Sequence, residues 1–344
     1  MLYAFSSALC AYLSCRYNFR LIGESVPRGG MLRLAVSAYQ RLPLPVAPLF
    51  VAYRMGAQTG ERAFSSAFYK REDTVVTLPA HHVGTYQAGI SCVRVSDCFG
   101  LFTFTKHVRE ADAALVLPRP FPIDKPKFCL GDEGAAALQR TLEDYTSPED
   151  VRDYVPGDAL KRVHWKLSAR RGTLMVRKYE TPAPPDTLVL LDCSEPESVQ
   201  EPERAAQMRD ALCETAVAVA RLQMADQSPV RLPLYGERTS EFSSLDEGSL
   251  PLLQEMLAMQ TFRRGEDFAR VLLLELRRMR RTGATVVITT RLDAAVVEGV
   301  ISIRRMGPSA RLYLVTFTPE DERYKPFVQR LQHHLVEVCY VTPQ

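Results

Sequence analysis

The second half of the chain constrains the fold most, because short apolar runs without polar alternation recur there between amphipathic helical stretches. Thr187 to Leu191 (TLVLL), Val230 to Tyr235, Ala284 to Thr290 (ATVVITT), Arg311 to Phe317 (RLYLVTF) and Leu335 to Val341 are the runs. Glu203 to Leu222, Leu250 to Met259, Asp267 to Arg281, Ala294 to Arg305 and Tyr324 to His333 carry the helical spacing. A strand apolar on both faces needs cover on both faces, which interleaved helices supply. The pattern predicts a doubly wound, mostly parallel α/β sheet over residues 186–344.

Residues 18–118 have a different rhythm. Leu32 to Ala38, Phe50 to Tyr53, Thr74 to Leu78, Gly89 to Val95, Leu101 to Thr105 and Ala114 to Leu117 read as short strands separated by turn residues. Such spacing predicts an antiparallel β-sandwich-like domain. Pro118, Pro120 and Pro122 punctuate a linker over residues 119–150, within which Gly131 to Tyr145 reads as a helix. A length of 344 residues suits two or three domains.

Composition excludes several classes. With 46% hydrophobic and 24% charged residues the chain is neither disordered nor fibrous. A net charge of +3 is too balanced to predict nucleic-acid or membrane binding by itself. Eight cysteines without a CxxC pair fit a reducing, cytoplasmic setting. Residues 1–17 are uncharged until Arg16, yet too short to span a bilayer, which takes about 20 apolar residues. They read either as a packed N-terminal helix or as the end of a membrane helix.

The segment 151–180 concentrates positive charge. It carries Arg152, Lys161, Arg162, Lys166, Arg170, Arg171, Arg177 and Lys178 against Asp153, Asp158 and Glu180. Pro156-Gly157 reads as a turn and Asp158 as a helix N-cap. Leu160, Val163 and Leu167 would share one helical face, with His164 and Trp165 mid-helix. Gly172 would end that helix, and Thr173 to Tyr179 alternates as a strand. One role for the helix is a joint between domains, with Arg152 and Arg170 pairing with Asp153 or Asp158. The other is a site for anions or an acidic partner.

Tyr154-x-Pro156-Gly157-Asp158, His164-Trp165-Lys166, Ser168-Ala169-Arg170, Gly172 and Val176-Arg177 together resemble the signature of the DUF58 family. Asp97-x-Phe99-Gly100-Leu101 resembles that family's D-P-F-G-L turn, and Leu115 to Pro118 the strand after it. The resemblance runs from about residue 17 onward. It implies an N-terminal membrane hairpin, a β-rich region, the signature, and a von Willebrand factor type A-like domain. It also implies a MoxR-type AAA+ ATPase as partner, since members are commonly encoded beside one. On this basis residues 1–17 look like the end of a second spanning helix, and the protein is expected at the inner face of the cell membrane. The family's biochemical function is largely unassigned, so the resemblance brings architecture and a partner class.

A type A domain often holds a divalent metal through a D-x-S-x-S loop. The corresponding loop is Asp192-Cys193-Ser194-Glu195-Pro196, in which proline replaces the last oxygen donor. The second loop, Gly265-Glu266-Asp267, lacks the expected threonine, and Arg291 precedes Asp293 in the third. Asp192, Ser194 and Asp293 thus make a degenerate site. No cofactor is expected, Mg²⁺ being the minor alternative, and Asp192 and Ser194 should cap the following turn. No phosphate loop, dinucleotide fingerprint, HExxH or GxSxG motif occurs. Neither His81-His82 nor His333-His334 can chelate alone on a strand, and nothing in the sequence brings His164 to Cys193. The run Arg277-Arg278-Met279-Arg280-Arg281 suits a helix C-terminus, and Arg263-Arg264 could join it as a patch. Without interleaved aromatics neither run favours nucleic acid. The expected function is a non-enzymatic interaction and assembly module. The alternative is a hydrolase or anionic-ligand-binding protein using His164, Asp158 and the signature arginines.

Overall fold

The computed structural model describes residues 1–42, 48–56, 58–64, 72–108, 110–123, 148–156, 163–179, 185–196, 201–236, 239–265, 267–279 and 282–344. Helix α1 (Leu2–Ser14) passes directly into strand β1 (Cys15–Leu21). The helix therefore stops short of residue 17, the expected end of the segment, because the chain turns to strand at Cys15. No helix among the described residues is long and apolar enough to cross a membrane.

Two sheets follow. In the first, β3 (Met31–Gln40) pairs antiparallel with β1 on one side and with β6 (Glu72–Pro79) on the other. The second contains β2 (Ser25–Pro27), β4 (Leu49–Met55), β5 (Gln58–Phe64), β7 (Gly84–Ser96), β8 (Thr103–His107) and β9 (Asp112–Leu117). Its order is β2-β9-β7-β4-β5, with β8 also on β7, and only β2 runs parallel to its neighbour. Side chains alternate across a strand, so Leu32, Leu34, Val36 and Ala38 of β3 point one way. They meet Val51, Ile90, Val95 and Val116 from the second sheet in a single core. Strands β1, β2 and β5 escaped the sequence reading. In β5, Gly60 lies opposite Tyr53, whose ring fills the space a side chain at residue 60 would take.

The second half contains a six-stranded sheet. Its strands are β12 (Asp186–Leu191), β13 (Val230–Leu234), β14 (Ser240–Ser244), β15 (Thr282–Thr289), β16 (Ser309–Val315) and β17 (Val336–Val341). The order is β14-β13-β12-β15-β16-β17, parallel throughout except for the antiparallel edge strand β14. Helices α3 (Pro202–Ala225), α4 (Leu250–Ala258), α5 (Phe268–Arg278), α6 (Ala294–Arg305) and α7 (Lys325–His333) accompany it. Val189 and Leu191 pack with Ala216 and Val217 of α3 and Leu253 of α4. Leu188 and Leu190, on the opposite face of the same strand, pack with Leu272 of α5, Val297 of α6 and Leu331 of α7. Each face of the sheet thus has its own core, as continuous apolar strands require. Helix α5 ends at Arg278 rather than running to residue 281; Arg280 and Arg281 fall outside the described residues, as does the expected helix Gly131 to Tyr145.

The two halves meet on α3. Asp210 is buried there, accepting from the Val83 backbone N–H at 2.7 Å and facing His82 Nδ1 at 2.7 Å. Arg28 reaches Asp210 at 3.3 Å and Glu214 at 2.9 Å. His82 Nε2 also lies 3.1 Å from Glu203. Burial pushes the Asp210 carboxyl up, although His82, the Val83 N–H and Arg28 pull against it. Burial likewise raises Glu214, opposed by Arg28.

Candidate functional site

The signature forms a strand–helix–strand unit. Strand β10 (Pro148–Asp153) pairs antiparallel with β11 (Met175–Tyr179), and helix α2 (Trp165–Arg171) lies between them in sequence. Val163 bridges Val176, and the His164 N–H donates to the Met175 carbonyl at 2.8 Å. Because that N–H is engaged across the unit, the chain cannot yet be helical at His164. His164 is instead the N-cap, its Nδ1 accepting from the Leu167 N–H at 3.2 Å. The expectation of His164 and Trp165 in mid-helix is thereby corrected: Trp165 is the first helical residue and is exposed.

Ser168 is buried and fastens the helix to its strand. Its hydroxyl donates to the His164 carbonyl at 3.1 Å and accepts from the Met175 N–H at 2.8 Å. Gly172 closes the helix with φ +73°, a conformation glycine adopts without penalty. The Tyr154 N–H donates to the Leu174 carbonyl at 2.8 Å. Arg152 Nη1 donates to the Asp153 backbone carbonyl at 3.2 Å. Pro156, Lys166 and Arg170 are exposed, and Arg177 pairs through its backbone with Val151. Gly157 and Asp158 lie outside the described residues, so the expected turn and cap there do too. Ser168→Ala is expected to cost about 1–3 kcal/mol, since it strands the buried Met175 N–H. Faster amide exchange at Met175 would register that loss, and unchanged exchange would contradict it.

The second candidate lies at the top of the α/β sheet. Strand order reverses between β12 and β15, with β13 and β14 on one side and β16 and β17 on the other. Ligands of open α/β sheets sit at such a switch point, beyond the carboxyl ends of the strands. Here the fully buried Asp192 accepts from the Ser194 N–H at 3.0 Å and from the Ser194 hydroxyl. Its second oxygen accepts from Thr289 Oγ1 at 2.7 Å, with Arg291 Nε 3.9 Å away. Asp293 caps α6, accepting from the Val296 N–H at 2.9 Å. The Asp192 side chain thus braces its own loop through the Ser194 N–H.

These residues do not suit a divalent cation. Mg²⁺ needs converging, available oxygens in near-octahedral array. Asp192 instead accepts three bonds from hydroxyl and N–H donors, Asp293 serves a helix end, and a guanidinium supplies the nearby positive charge. Titration with Mg²⁺ is expected to give neither a one-site heat nor a rise in Tm, and a tight isotherm would contradict this.

The loop after β12 is braced from one side. Arg263 donates its N–H to the Cys193 carbonyl at 3.1 Å and accepts from the Glu195 N–H at 2.8 Å. Arg209 Nη1 holds both Glu195 carboxylate oxygens, at 3.0 and 3.2 Å. Arg263 and Arg264 are exposed on this rim. Cys193 is buried, its thiol directed to the Leu191 carbonyl at 3.7 Å.

A third feature lies in the first half, on helix α1 and the turn beside it. Helix α1 buries Ala4, Ser7, Ala8 and Ala11 and turns Leu2, Tyr3 and Leu13 outward. Beside it, Phe5 packs on Phe102 and Phe104, with ring centroids 5.4 and 5.8 Å apart. The turn Asp97 to Leu101 leaves Phe99 73% and Leu101 60% exposed. Asp97 builds that turn, accepting from the Phe102 N–H at 2.7 Å and the Phe99 N–H at 3.0 Å. Burial works against the Asp97 carboxylate, but the N–H groups of Phe102, Phe99 and Leu101 hold it below the ordinary range. The sequence reading matched the turn without seeing that it displays two apolar side chains. The small-residue spacing Ala4, Ala8, Ala11 was the available signal.

A family model described as a protein of unknown function, DUF58, matches residues 150–328. The chain belongs to the DUF58 family. The matched span opens at the signature and carries through most of the α/β half of this DUF58 protein. No curated protein matches it. Among solved structures, the CARDB domain of a Pyrococcus furiosus protein is 8% identical over 30% of this chain and 87% of that one, with a TM-score of 0.21. The PKD domain of an M14-like peptidase from a Thermoplasmatales archaeon is 9% identical over 29% of this chain and 91% of that one, with a TM-score of 0.19. Cwp6 from Clostridium difficile is 10% identical over 95% of this chain and 53% of that one, with a TM-score of 0.17. Likenesses this distant say nothing of what the DUF58 protein does.

Proposed function

We propose that this DUF58 protein is a non-enzymatic interaction and assembly module that works with a MoxR-type AAA+ ATPase at the cytoplasmic face of a membrane. In this reading the first half is a β-sandwich and the second a doubly wound, von Willebrand type A-like domain whose crest meets the partner. The observation that carries the reading is the state of the crest. At the switch point, where such sheets keep their chemistry, both oxygens of Asp192 accept from Ser194 or Thr289. A carboxylate so engaged is a scaffold for the loops around it and is poorly placed as a general base. The signature supports the same view, because the Nδ1 lone pair of His164 is committed to a backbone N–H. The outward apolar face of α1 supports the membrane part.

A pull-down with the MoxR-type ATPase encoded in the same genome tests the proposal, using wild type, Arg170→Ala and Asp192→Ala. Wild type is expected to retain the ATPase, and Asp192→Ala to lose it as the crest loops relax. Retention by both variants would remove the crest and the signature as the contact. Turnover of an anionic substrate that is abolished by His164→Ala would overturn the non-enzymatic reading.

A further inference from the structure

Helix α5 carries a second outward stripe. Phe268, Ala269, Leu272 and Glu275 face the interior, and Glu275 is held there by Arg231 and Arg278, each at 2.9 Å. The opposite face presents Arg270, Leu273, Leu274 and Arg277, at i, i+3, i+4 and i+7. Leu273 is 50% and Leu274 45% exposed, so two adjacent leucines stand in water between arginines. In sequence the helix follows the Arg263-Arg264 loop, which braces the crest through its backbone.

We infer that this stripe docks an acidic amphipathic helix of a protein partner, the leucines entering its apolar seam and the arginines facing its carboxylates. The inference deepens the assembly reading and rests on it for the partner's identity. Spacing i, i+3, i+4, i+7 is the footprint one helix offers another. Charge selects the occupant. The carboxylates beside the helix are already paired, Asp267 with Arg270 at 3.2 Å, and Glu241 and Glu275 with Arg278 at 3.7 and 2.9 Å. Arg277 has no carboxylate partner among the described residues, so the stripe has a positive excess. A second copy of the chain is disfavoured, because a two-fold contact would set arginine stripe against arginine stripe.

The test uses the full chain and two probes. The first is a labelled helical peptide with leucine on one face flanked by glutamate; its control replaces each glutamate with lysine. Wild type is expected to bind the glutamate peptide, more weakly at higher salt, and to ignore the lysine peptide. Leu273→Asp with Leu274→Asp should weaken binding at least tenfold, and Arg270→Glu with Arg277→Glu similarly. All four positions are solvent-facing, so circular dichroism should show both double variants folded. Failure of wild type to bind, equal binding by the variants, or binding only to phosphatidylglycerol vesicles would overturn the inference. The second probe is the ATPase itself. Peptide binding without ATPase binding would refute the ATPase reading and leave the stripe standing. ATPase binding untouched by the leucine variants would refute the stripe as its contact and leave the partnership standing.

Discussion

Asp210→Ala is expected to uncouple the two halves of the molecule and to cost about 3–5 kcal/mol, the range for removing one member of a buried charged pair. The Asp210 carboxylate gathers His82, the Val83 N–H and Arg28 from the first half onto α3 of the second. Alanine would leave the Val83 donor and the Arg28 cation without that partner at a buried junction. Urea unfolding monitored by two probes, one in each half, should change from a shared transition to two separate ones. Asp210→Asn, which keeps an acceptor, should lose less. An Asp210→Ala protein that unfolds in one unshifted transition would contradict this account of the junction. The sign of the pH dependence follows from burial, which raises the Asp210 and Glu214 carboxyls above their unfolded values. The folded state then binds protons more tightly. Their contribution is full at low pH and declines as pH rises from the ordinary carboxylate range through the elevated values. Asp210→Asn should remove its share of that decline.

Phe99→Asp combined with Leu101→Asp is expected to lower binding to anionic vesicles by at least tenfold. Burying one large apolar side chain is worth about 1.5–3 kcal/mol, so two such groups dominate a weak interfacial contact. The turn that displays them is fixed by Asp97 and by Gly100 at φ +69°, and both aspartates would point into solvent without disturbing it. The lipid surface fits the exposed charge: α1 has no charged side chain, Arg16, Arg20 and Lys106 follow, and the turn's own Asp97 is buried with its oxygens on backbone N–H groups. Flotation with phosphatidylglycerol vesicles measures the effect. Wild-type protein that stays at the bottom of the gradient would contradict the membrane reading.

Strands β12, β15 and β16 were legible because burial on both faces leaves an uninterrupted apolar run. Strands β5 (QTGERAF) and β14 (SEFSS) were not, since each is an edge strand with a largely exposed, polar sequence. Strand β10 reads locally as a polar stretch, and only its pairing with β11 makes it a strand. His164 illustrates the same limit. Its position suits a helix interior by spacing, but its N–H bond to Met175 fixes it as a cap. The junction was hidden for a different reason: His82 and Asp210 are 128 residues apart, and neither carries a local signal of the other. The signature itself was legible because its residues recur as one long, ordered string.

The crest of the α/β sheet and the exposed face of α5 are the surfaces proposed to meet a protein partner. Cross-linking mass spectrometry of the complex with the AAA+ ATPase tests this most directly, with photoreactive residues placed singly at positions 264, 274 and 62. Cross-links to the ATPase from positions 264 and 274, and none from position 62 on the β-rich half, are predicted. Cross-links from position 62 alone would contradict the account.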